Sequence, residues 1–287
     1  DWKGPRTSDG DDDNGRFGKD YNDIANMTWS NILTYQMTLN KKHHLDFLAG
    51  YEINSKESDG LGATISNFAR TDKPEINNGV VYQNMDGSCS ATRIVSYITR
   101  VNYDYDNKYY AGASWRTDGS SRLARENRWG NFWSISGAWR ISAEKFMKPT
   151  EKWLNDLKLR LSYGVNGTLP SPYYGYQGLS SITSNYNNNP GISLSQLKNT
   201  ELTWETNYNF NSGLDIALFD NRLNVTFEYY VRTTKNLLYD RPLSITTGFT
   251  SYLSNIGKLQ NKGYELEIRS TNIKTKDFRW TSSFNLG

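Results

Sequence analysis

The sequence predicts an all-β protein, a transmembrane antiparallel β-barrel, from the period, the length and the spacing of its alternating runs. In residues 109–116, 132–141 and 157–165, apolar side chains alternate with polar ones. Period two indicates β-strands because successive side chains point to opposite faces of a sheet. A strand that crosses a bilayer needs about 9–11 residues, whereas soluble strands usually have about 5–6. These runs are therefore typical of an outer-membrane barrel wall.

The composition is compatible with such a wall and excludes a helical membrane span. The chain has 287 residues and a mean hydropathy of −0.74, and it contains no run of about 18 apolar residues. Low hydropathy fits a barrel, because only every second wall residue faces lipid. The 20 tyrosine, 11 phenylalanine and 9 tryptophan residues suit a membrane–water interface. Aromatic-rich strands also occur in soluble carbohydrate-binding sandwiches, which remain an alternative.

Charge and cysteine content exclude other classes. The net charge is +3, from 33 basic and 30 acidic residues without a basic block, so nothing indicates a nucleic-acid partner. A single cysteine, Cys89, cannot form an internal disulfide. The first twenty residues are neither a signal peptide nor a transit peptide.

Ten strands are predicted, each from its own alternation. They are expected at residues 27–39, 45–53, 95–105, 109–117, 131–142, 157–166, 202–218, 223–231, 264–269 and 278–286. Short polar turns are expected at 40–43, 106–108 and 219–222 and near Thr271, and a longer connection at 143–156 has room for one helical turn. Asp220 and Asn221 are a strong turn signal.

Long polar segments separate the remaining strands. They are expected as irregular loops at residues 1–23, 54–92, 118–130, 167–200 and 233–261. Short and long connections therefore largely alternate, as the periplasmic turns and extracellular loops of an outer-membrane barrel do. A soluble sandwich has no reason to keep its long loops at one end.

The two faces of the strands differ in charge. The apolar set is nearly free of charge and should face lipid, where a charge costs about 2–4 kcal/mol at mid-membrane. The polar set carries Arg100, Arg116, Arg140, Lys158, Arg160, Glu228, Arg232, Glu265, Glu267 and Arg269. A packed core cannot hold so many charges, so this face should line a wide lumen that is wet or holds a polar plug. Ten strands cannot close such a lumen, and open sheet edges are not tolerated in lipid. The chain is therefore expected to be part of a larger barrel.

Several motifs add a family resemblance. They are GASWRTDGSSR (112–122), RWGNFWSISGAWRIS (128–142), LKLRLSYGVNG (157–167), LTWETN (202–207), LFDNRLNVTFEYYVRTTKNLL (218–238) and NIGKLQNKGYELEI (255–268). In this order and spacing the chain resembles, from about Thr28 to its end, the SusC/RagA family of TonB-dependent outer-membrane transporters. Leu123 and Ala124 stand where family members usually have Phe-Gly, a variation in a loop.

The resemblance implies a 22-stranded barrel plugged by an N-terminal domain. It implies active import of glycans, oligosaccharides or peptides across the bacterial outer membrane. The implied partners are a SusD-like surface lipoprotein that acts as a lid, outer-membrane lipid, and the TonB–ExbB–ExbD system, which engages a box before the plug; a dimer of SusCD pairs is also implied. On this interpretation residues 1–287 form part of the barrel domain, and the plug, the TonB box and the last strands lie outside the sequence. A passive porin remains an alternative, and a soluble glycan-binding β-protein a third.

The residues give no enzymatic prediction. His43 and His44 lie at a tight turn and suit a structural role, and Cys89 has no histidine near it in sequence. Residues 11–15 (Asp-Asp-Asp-Asn-Gly) lack the spaced ligands of a calcium loop. No catalytic residue, metal site or cofactor is therefore predicted.

Substrate binding is predicted instead at aromatic residues of a long loop. Tyr173, Tyr174, Tyr176 and Tyr186 lie in the 167–200 segment beside asparagines, and aromatic rings with hydrogen-bonding neighbours suit polar transport substrates. The alternative is that these tyrosines pack the loop itself or contact a lid protein.

Overall fold

The computed structural model describes residues 2–4, 13–70, 72–187 and 189–287, without the side chains of residues 183–186. These residues form antiparallel strands joined by turns and short 3₁₀ segments. The strands are β1 (Trp2–Lys3), β2 (Arg16–Leu39), β3 (His43–Phe68), β4 (Gly79–Tyr105), β5 (Tyr109–Ser120), β6 (Trp129–Arg140), β7 (Leu154–Thr168), β8 (Leu179–Tyr186), β9 (Asn189–Gln196), β10 (Glu205–Leu218), β11 (Leu223–Lys235), β12 (Leu238–Pro242), β13 (Ser251–Asn255), β14 (Lys258–Lys274) and β15 (Arg279–Leu286).

The main sheet is an up-and-down meander. Its order is β1-β2-β3-β4-β5-β6-β7-β10-β11-β14-β15, and two small hairpins, β8–β9 and β12–β13, form separate sheets. The ten predicted strands correspond to β2 to β7, β10, β11, β14 and β15, so the all-β fold class is confirmed.

In the described part of the chain, no helix is long and apolar enough to cross a membrane. Among the described residues, the helical segments are four short 3₁₀ turns: Arg125–Asn127, Ile141–Ala143, Lys145–Thr150 and Ile245–Thr247.

Two segments predicted as loops are largely strands. Residues 16–23, in the predicted N-terminal loop, belong to β2, and most of the 54–92 stretch belongs to β3 and β4. The prediction was wrong because it relied on an apolar set that alternates with a polar one. In these segments polar residues and glycine occur on both faces, so the strands have no such alternation to detect.

The other boundaries differ by smaller amounts. The hairpins β8–β9 and β12–β13 lie within predicted loops. β14 begins at Lys258 rather than at residue 264, and the turn after it lies at residues 275–278 rather than near Thr271. β10 begins at Glu205 rather than at residue 202, and Leu202 and Trp204, which precede it, are buried.

Short connections join the strands at one end, which we call the turn end; the long connections define the loop end. Four turns at the turn end are short: residues 40–42, 106–108, 219–222 and 275–278. Asp106 and Asn107 have φ values of 54° and 54°, the left-handed pair typical of a tight hairpin turn. The fifth connection at this end, residues 141–153, is much longer.

By its internal contacts the chain divides into two compact units, Asp1–Trp29 with Ile53–Arg93 (unit 1) and Ser30–Glu52 with Ile94–Gly287 (unit 2). In unit 1, Ile65 and Phe68 are buried. The ring of Phe68 meets Trp2 edge to face with centroids 5.0 Å apart, and the backbone N–H of Asn67 donates to the carbonyl of Asp13 at 2.9 Å. Unit 2 contains β5 to β15 and all five turn-end connections.

Candidate functional site: the polar face of unit 2

Strand register brings the polar set of unit 2 together on one face, which we call the polar face; the opposite side is the apolar face. Gly112 pairs with Ser136, Ser136 with Ser162, and Ser162 with Asn211. In the next row toward the turn end, Arg160 pairs with Gly213, Gly213 with Glu228, and Glu228 with Glu265. All of these residues except Glu265 line a cavity of about 450 Å³. Their position on one face agrees with the alternation of the sequence.

An ionic cluster holds the centre of the polar face. Arg160 donates through Nε to Oδ2 of Asp215 at 2.6 Å and through Nη2 to Oδ1 at 3.0 Å. The same Nη2 donates to Oε1 of Glu228 at 2.7 Å, and the hydroxyl of Thr226 donates to Asp215 at 3.2 Å. One guanidinium thus bridges two carboxylates from two neighbouring strands.

Gly213 makes room for this cluster. A Cβ at this position would lie 2.9 Å from Nη2 of Arg160, which is closer than a side chain can approach without moving the guanidinium. The absence of a side chain lets Arg160 cross β10 to reach Glu228. Alternation alone does not reveal this contact between Arg160 and Glu228.

Other charges of the predicted polar set also have partners. Nε of Arg116 lies 2.7 and 2.8 Å from the two carboxylate oxygens of Asp118, and Nε of Arg140 lies 2.8 Å from Asp156. The remaining contacts place Lys158 Nζ 4.6 Å from the Tyr110 ring centroid, Arg232 Cζ 4.8 Å from that of Tyr230, and Arg269 in an ion pair with Glu267.

Toward the loop end the polar face is rich in amides. The side-chain amide of Asn209 donates to Asn166 at 2.7 Å, and that of Asn207 donates to the hydroxyl of Thr168 at 3.1 Å. The hydroxyl of Thr234 donates to Asn207 at 2.7 Å. The face therefore offers amide and hydroxyl groups beside charged groups that have partners of their own.

A buried apolar core, which we call the loop core, lies among the loops at the loop end. Leu123, Phe132, Leu202 and Trp204 form this core, and Leu169, Tyr176, Leu238 and Leu253 pack against it. Leu123 and Leu202 are fully buried. The indole N–H of Trp204 donates to the carbonyl of Arg128 at 3.2 Å. The sequence analysis did not predict this core. The apolar residues of the SSRLA and LTWET motifs, which fit no alternation, could have indicated it.

The four predicted binding tyrosines fall in different places. Tyr176 packs against the loop core. The ring of Tyr173 lies 4.3 Å from Cζ of Arg122, a cation–π contact. Tyr174 is half-buried, and its carbonyl accepts from the amide of Gln196 at 3.1 Å. The side chain of Tyr186 lies outside the described residues.

The turn end carries an aromatic group on the apolar face. The rings of Tyr109 and Trp139 stack with centroids 6.4 Å apart. The Tyr109 hydroxyl and the indole N–H of Trp139, the latter at 3.3 Å, both donate to Oε1 of Glu144. The Tyr109 hydroxyl lowers the pKa of the Glu144 carboxyl, and Trp139 and the charge of Lys108 act in the same direction.

The remaining candidates make local contacts. Nδ1 of His43 lies 2.8 Å from the Tyr103 hydroxyl, and Nδ1 of His44 lies 3.1 Å from the Thr38 hydroxyl. Cys89 is an exposed thiol in β4. Asp11 and Asp12 lie outside the described residues. Within the described ranges no three His, Cys, Asp or Glu side chains are grouped to hold a metal ion.

An antiparallel meander with one charged, hydrogen-bonding face and one apolar, aromatic face is the wall of an outer-membrane β-barrel. A family model described as TonB dependent receptor-like, beta-barrel, matches residues 1–287. The chain therefore belongs to this family of TonB-dependent receptor barrels.

Named relatives confirm the resemblance to SusC and RagA. The chain is 36% identical over 278 residues to TonB-dependent receptor P3 of Formosa agariphila, covering 93% of this chain and 27% of the relative. It is 36% identical over 206 residues to TonB-dependent receptor SusC of Bacteroides thetaiotaomicron, covering 68% of this chain and 20% of SusC. The chain thus spans about a quarter of these curated relatives. They are named as receptors, which agrees with a non-enzymatic role.

Solved structures agree with the sequence relatives. The RagAB peptide transporter superposes with a TM-score of 0.89 at 30% identity, covering 94% of this chain and 30% of that chain. The FpvAI–pyocin S2 complex superposes with a TM-score of 0.54 at 13% identity, which shows a shared fold alone.

Proposed function

We propose that the chain forms part of the barrel wall of an outer-membrane importer that actively takes up oligosaccharides or peptides. The match to the RagAB peptide transporter over 94% of the chain is the observation that carries this proposal. In it, residues 1–287 belong to the barrel domain, and their polar face lines the transport lumen.

The chemistry of the polar face supports a polar, hydrogen-bonding cargo. Its central charges are paired with one another, since Arg160 bridges Asp215 and Glu228. What remains available is a set of amides and hydroxyls, including Asn211 and Ser162. Sugar hydroxyls and peptide amides both pair with such groups, so the face suits either cargo.

The proposal includes the partners of the whole protein. A SusD-like lipoprotein covers the extracellular mouth, and TonB–ExbB–ExbD supplies energy through a plug domain. The support is the resemblance to SusC and to RagAB, whose structure is described as a peptide importer in 'closed-closed' and 'open-open' states. Two such pairs then assemble as a dimer.

Substrate contact is proposed for the loop tyrosines that are not part of the loop core. Tyr173, held by Arg122, presents an aromatic ring beside a cation, and Tyr174 lies next to it. Tyr176 supports the loop from within. Tyr186 stays a proposed contact on its sequence position alone.

Uptake by a deletion strain tests the proposal. The strain is complemented with the full-length gene or with the same gene lacking its TonB-binding segment, and is supplied with labelled oligosaccharide or peptide pools. The proposal expects uptake of one pool with the full-length gene and loss of that uptake without the TonB-binding segment. Uptake that persists without this segment and in the presence of a protonophore would indicate the passive porin instead.

A further inference from the structure

The connection at residues 141–153 is the long exception at the turn end. The four other turns there span three or four residues, whereas this one contains two 3₁₀ segments, Ile141–Ala143 and Lys145–Thr150. Strands β6 and β7 are neighbours in the sheet, so a tight turn would suffice to join them. The additional residues need another explanation.

Contacts at its start direct the connection toward the apolar face. Glu144 accepts hydrogen bonds from Tyr109 and Trp139, and both aromatic residues belong to the apolar set. Ser142, two residues earlier, donates instead to Asp156 at 2.7 Å, next to Arg140 of the polar face. The chain therefore passes from the polar face to the apolar face between Ser142 and Glu144, and the residues that follow begin on the side that meets lipid.

The residues that follow combine lysines with exposed aromatic rings. Lys145, Lys148 and Lys152 are exposed, and Lys145 and Lys148 lie on the same side of a 3₁₀ turn because its period is three residues. Phe146 is 64% exposed and Trp153 is 48% exposed. Large rings left in water are unfavourable, whereas the same rings are favourable at a membrane interface.

The charge at the turn end has the sign that complements phosphate. Its five connections hold eight basic and five acidic side chains, and one of the acidic ones, Glu144, is engaged by Tyr109. Lysines beside an anionic membrane surface strengthen binding to it, each by about fivefold.

We propose that residues 141–153 form a binding site for anionic phospholipid headgroups at the membrane surface. Lys145, Lys148 and Lys152 bind the phosphates, and Phe146 and Trp153 enter the interface beside the Tyr109–Trp139 pair. The site rests on the membership of the chain in an outer-membrane barrel family and is independent of what the barrel imports.

The test uses the purified full-length protein in nanodiscs of phosphatidylcholine alone or of phosphatidylcholine with phosphatidylglycerol. The quantity measured is the phosphatidylglycerol that stays bound to the protein. The variant is Lys145→Gln/Lys148→Gln/Lys152→Gln. The matched control is Arg125→Gln/Lys198→Gln/Arg241→Gln, which removes three positive charges at the loop end. We expect the first variant to bind phosphatidylglycerol roughly a hundredfold more weakly, from about fivefold for each lysine. The control should match the wild type, and wild-type retention should weaken as salt is raised.

Four results would overturn the site. The first two are equal retention by the wild type and the turn-end variant, and retention that does not respond to salt. The third is displacement of the lipid by inorganic phosphate as readily as by phosphatidylglycerol. The fourth is a turn-end variant that keeps its lipid but loses a co-purifying protein. Heat-modifiable migration on gels checks that each variant is folded.

Discussion

Arg160 on β7 and Asp215 on β10 are joined by two parallel hydrogen bonds, of 2.6 and 3.0 Å, on the polar face. The guanidinium also reaches Glu228 on β11 at 2.7 Å. A single positive charge therefore holds together three adjacent strands and keeps two carboxylates from facing each other unpaired. The cluster brings into contact Arg160 and Glu228, two members of the polar set that alternation places on one face.

Replacement of Arg160 should destabilise the barrel modestly. Arg160→Gln leaves Asp215 and Glu228 close together, with Glu265 directly opposite Glu228, and like charges across a strand pair repel. Because all three members of the cluster are partly exposed, the expected loss is about 1 kcal/mol, measured as a lower thermal midpoint in detergent.

A second substitution distinguishes repulsion from lost packing. Arg160→Gln/Asp215→Asn/Glu228→Gln should recover most of the thermal midpoint that Arg160→Gln loses. Arg232→Gln, which removes a guanidinium lying over Tyr230, should lower the midpoint less than Arg160→Gln does. A triple variant as unstable as Arg160→Gln alone would refute the electrostatic explanation.

The loop core should be sensitive to added volume at Gly167. A Cβ there would lie 2.2 Å from Cζ of Phe132 and 3.0 Å from Cε3 of Trp204, so Gly167→Ala must displace the core rings. Overpacking of this kind costs about 1–3 kcal/mol and should speed proteolysis of the 169–204 loop.

The matched control is Gly137→Ala. Its Cβ would meet the carbonyl of Tyr110 at 3.7 Å, an ordinary contact, so the rate of loop cleavage should stay at the wild-type value. Equal cleavage rates in the two alanine variants would contradict the proposed role of the core.

The contribution of Glu144 to stability should depend on pH. The Tyr109 hydroxyl lowers the pKa of Glu144 from the ordinary 4.5. The hydrogen bond from Tyr109 to the ionised carboxylate therefore stabilises the folded state fully at pH values above 4.5. The contribution is lost as the pH falls through the lowered pKa of the folded state.

Thermal midpoints of the wild type and Glu144→Gln, measured from neutral to acidic pH, check this expectation. The wild type should have the higher midpoint at neutral pH, and the difference should vanish in acid. A constant difference across the whole range would show that the charge of Glu144 has no part in it.

The two best-placed loop tyrosines should respond differently to truncation. Tyr173→Ala removes a ring from the edge of the loop, so it should reduce cargo uptake with little change in the thermal midpoint. Tyr176→Ala removes a ring from the loop core, so it should lower the midpoint and increase loop proteolysis. Loss of uptake in Tyr176→Ala alone, with Tyr173→Ala unaffected, would assign the loop a purely structural role.

The sequence predicted the strands that have two different faces. Alternation located β5, β6 and β7 to within about three residues at each end, because one face of each is apolar and the other carries Arg116, Arg140 or Arg160. It failed for the polar portions of β3 and β4, where both faces hold hydrophilic residues and backbone pairing alone defines the strand.

The candidate site was predicted in part for the same physical reason. Period two placed Arg160 and Glu228 on one face, but their contact depends on the register of three strands and on the missing side chain of Gly213. The loop core depends on contacts between residues far apart in sequence, such as Leu123 and Leu202, and no local pattern encodes these contacts.

The central claim is that the polar face lines the route of the cargo. Uptake by cells that carry Asn211→Trp, on the exposed polar face beside the 450 Å³ cavity, tests it against Ala113→Trp, at an exposed position of the apolar face. At equal surface abundance, we expect at least a several-fold loss of uptake for Asn211→Trp and near-normal uptake for Ala113→Trp. Equal uptake by the two variants, or a loss confined to Ala113→Trp, would contradict the claim.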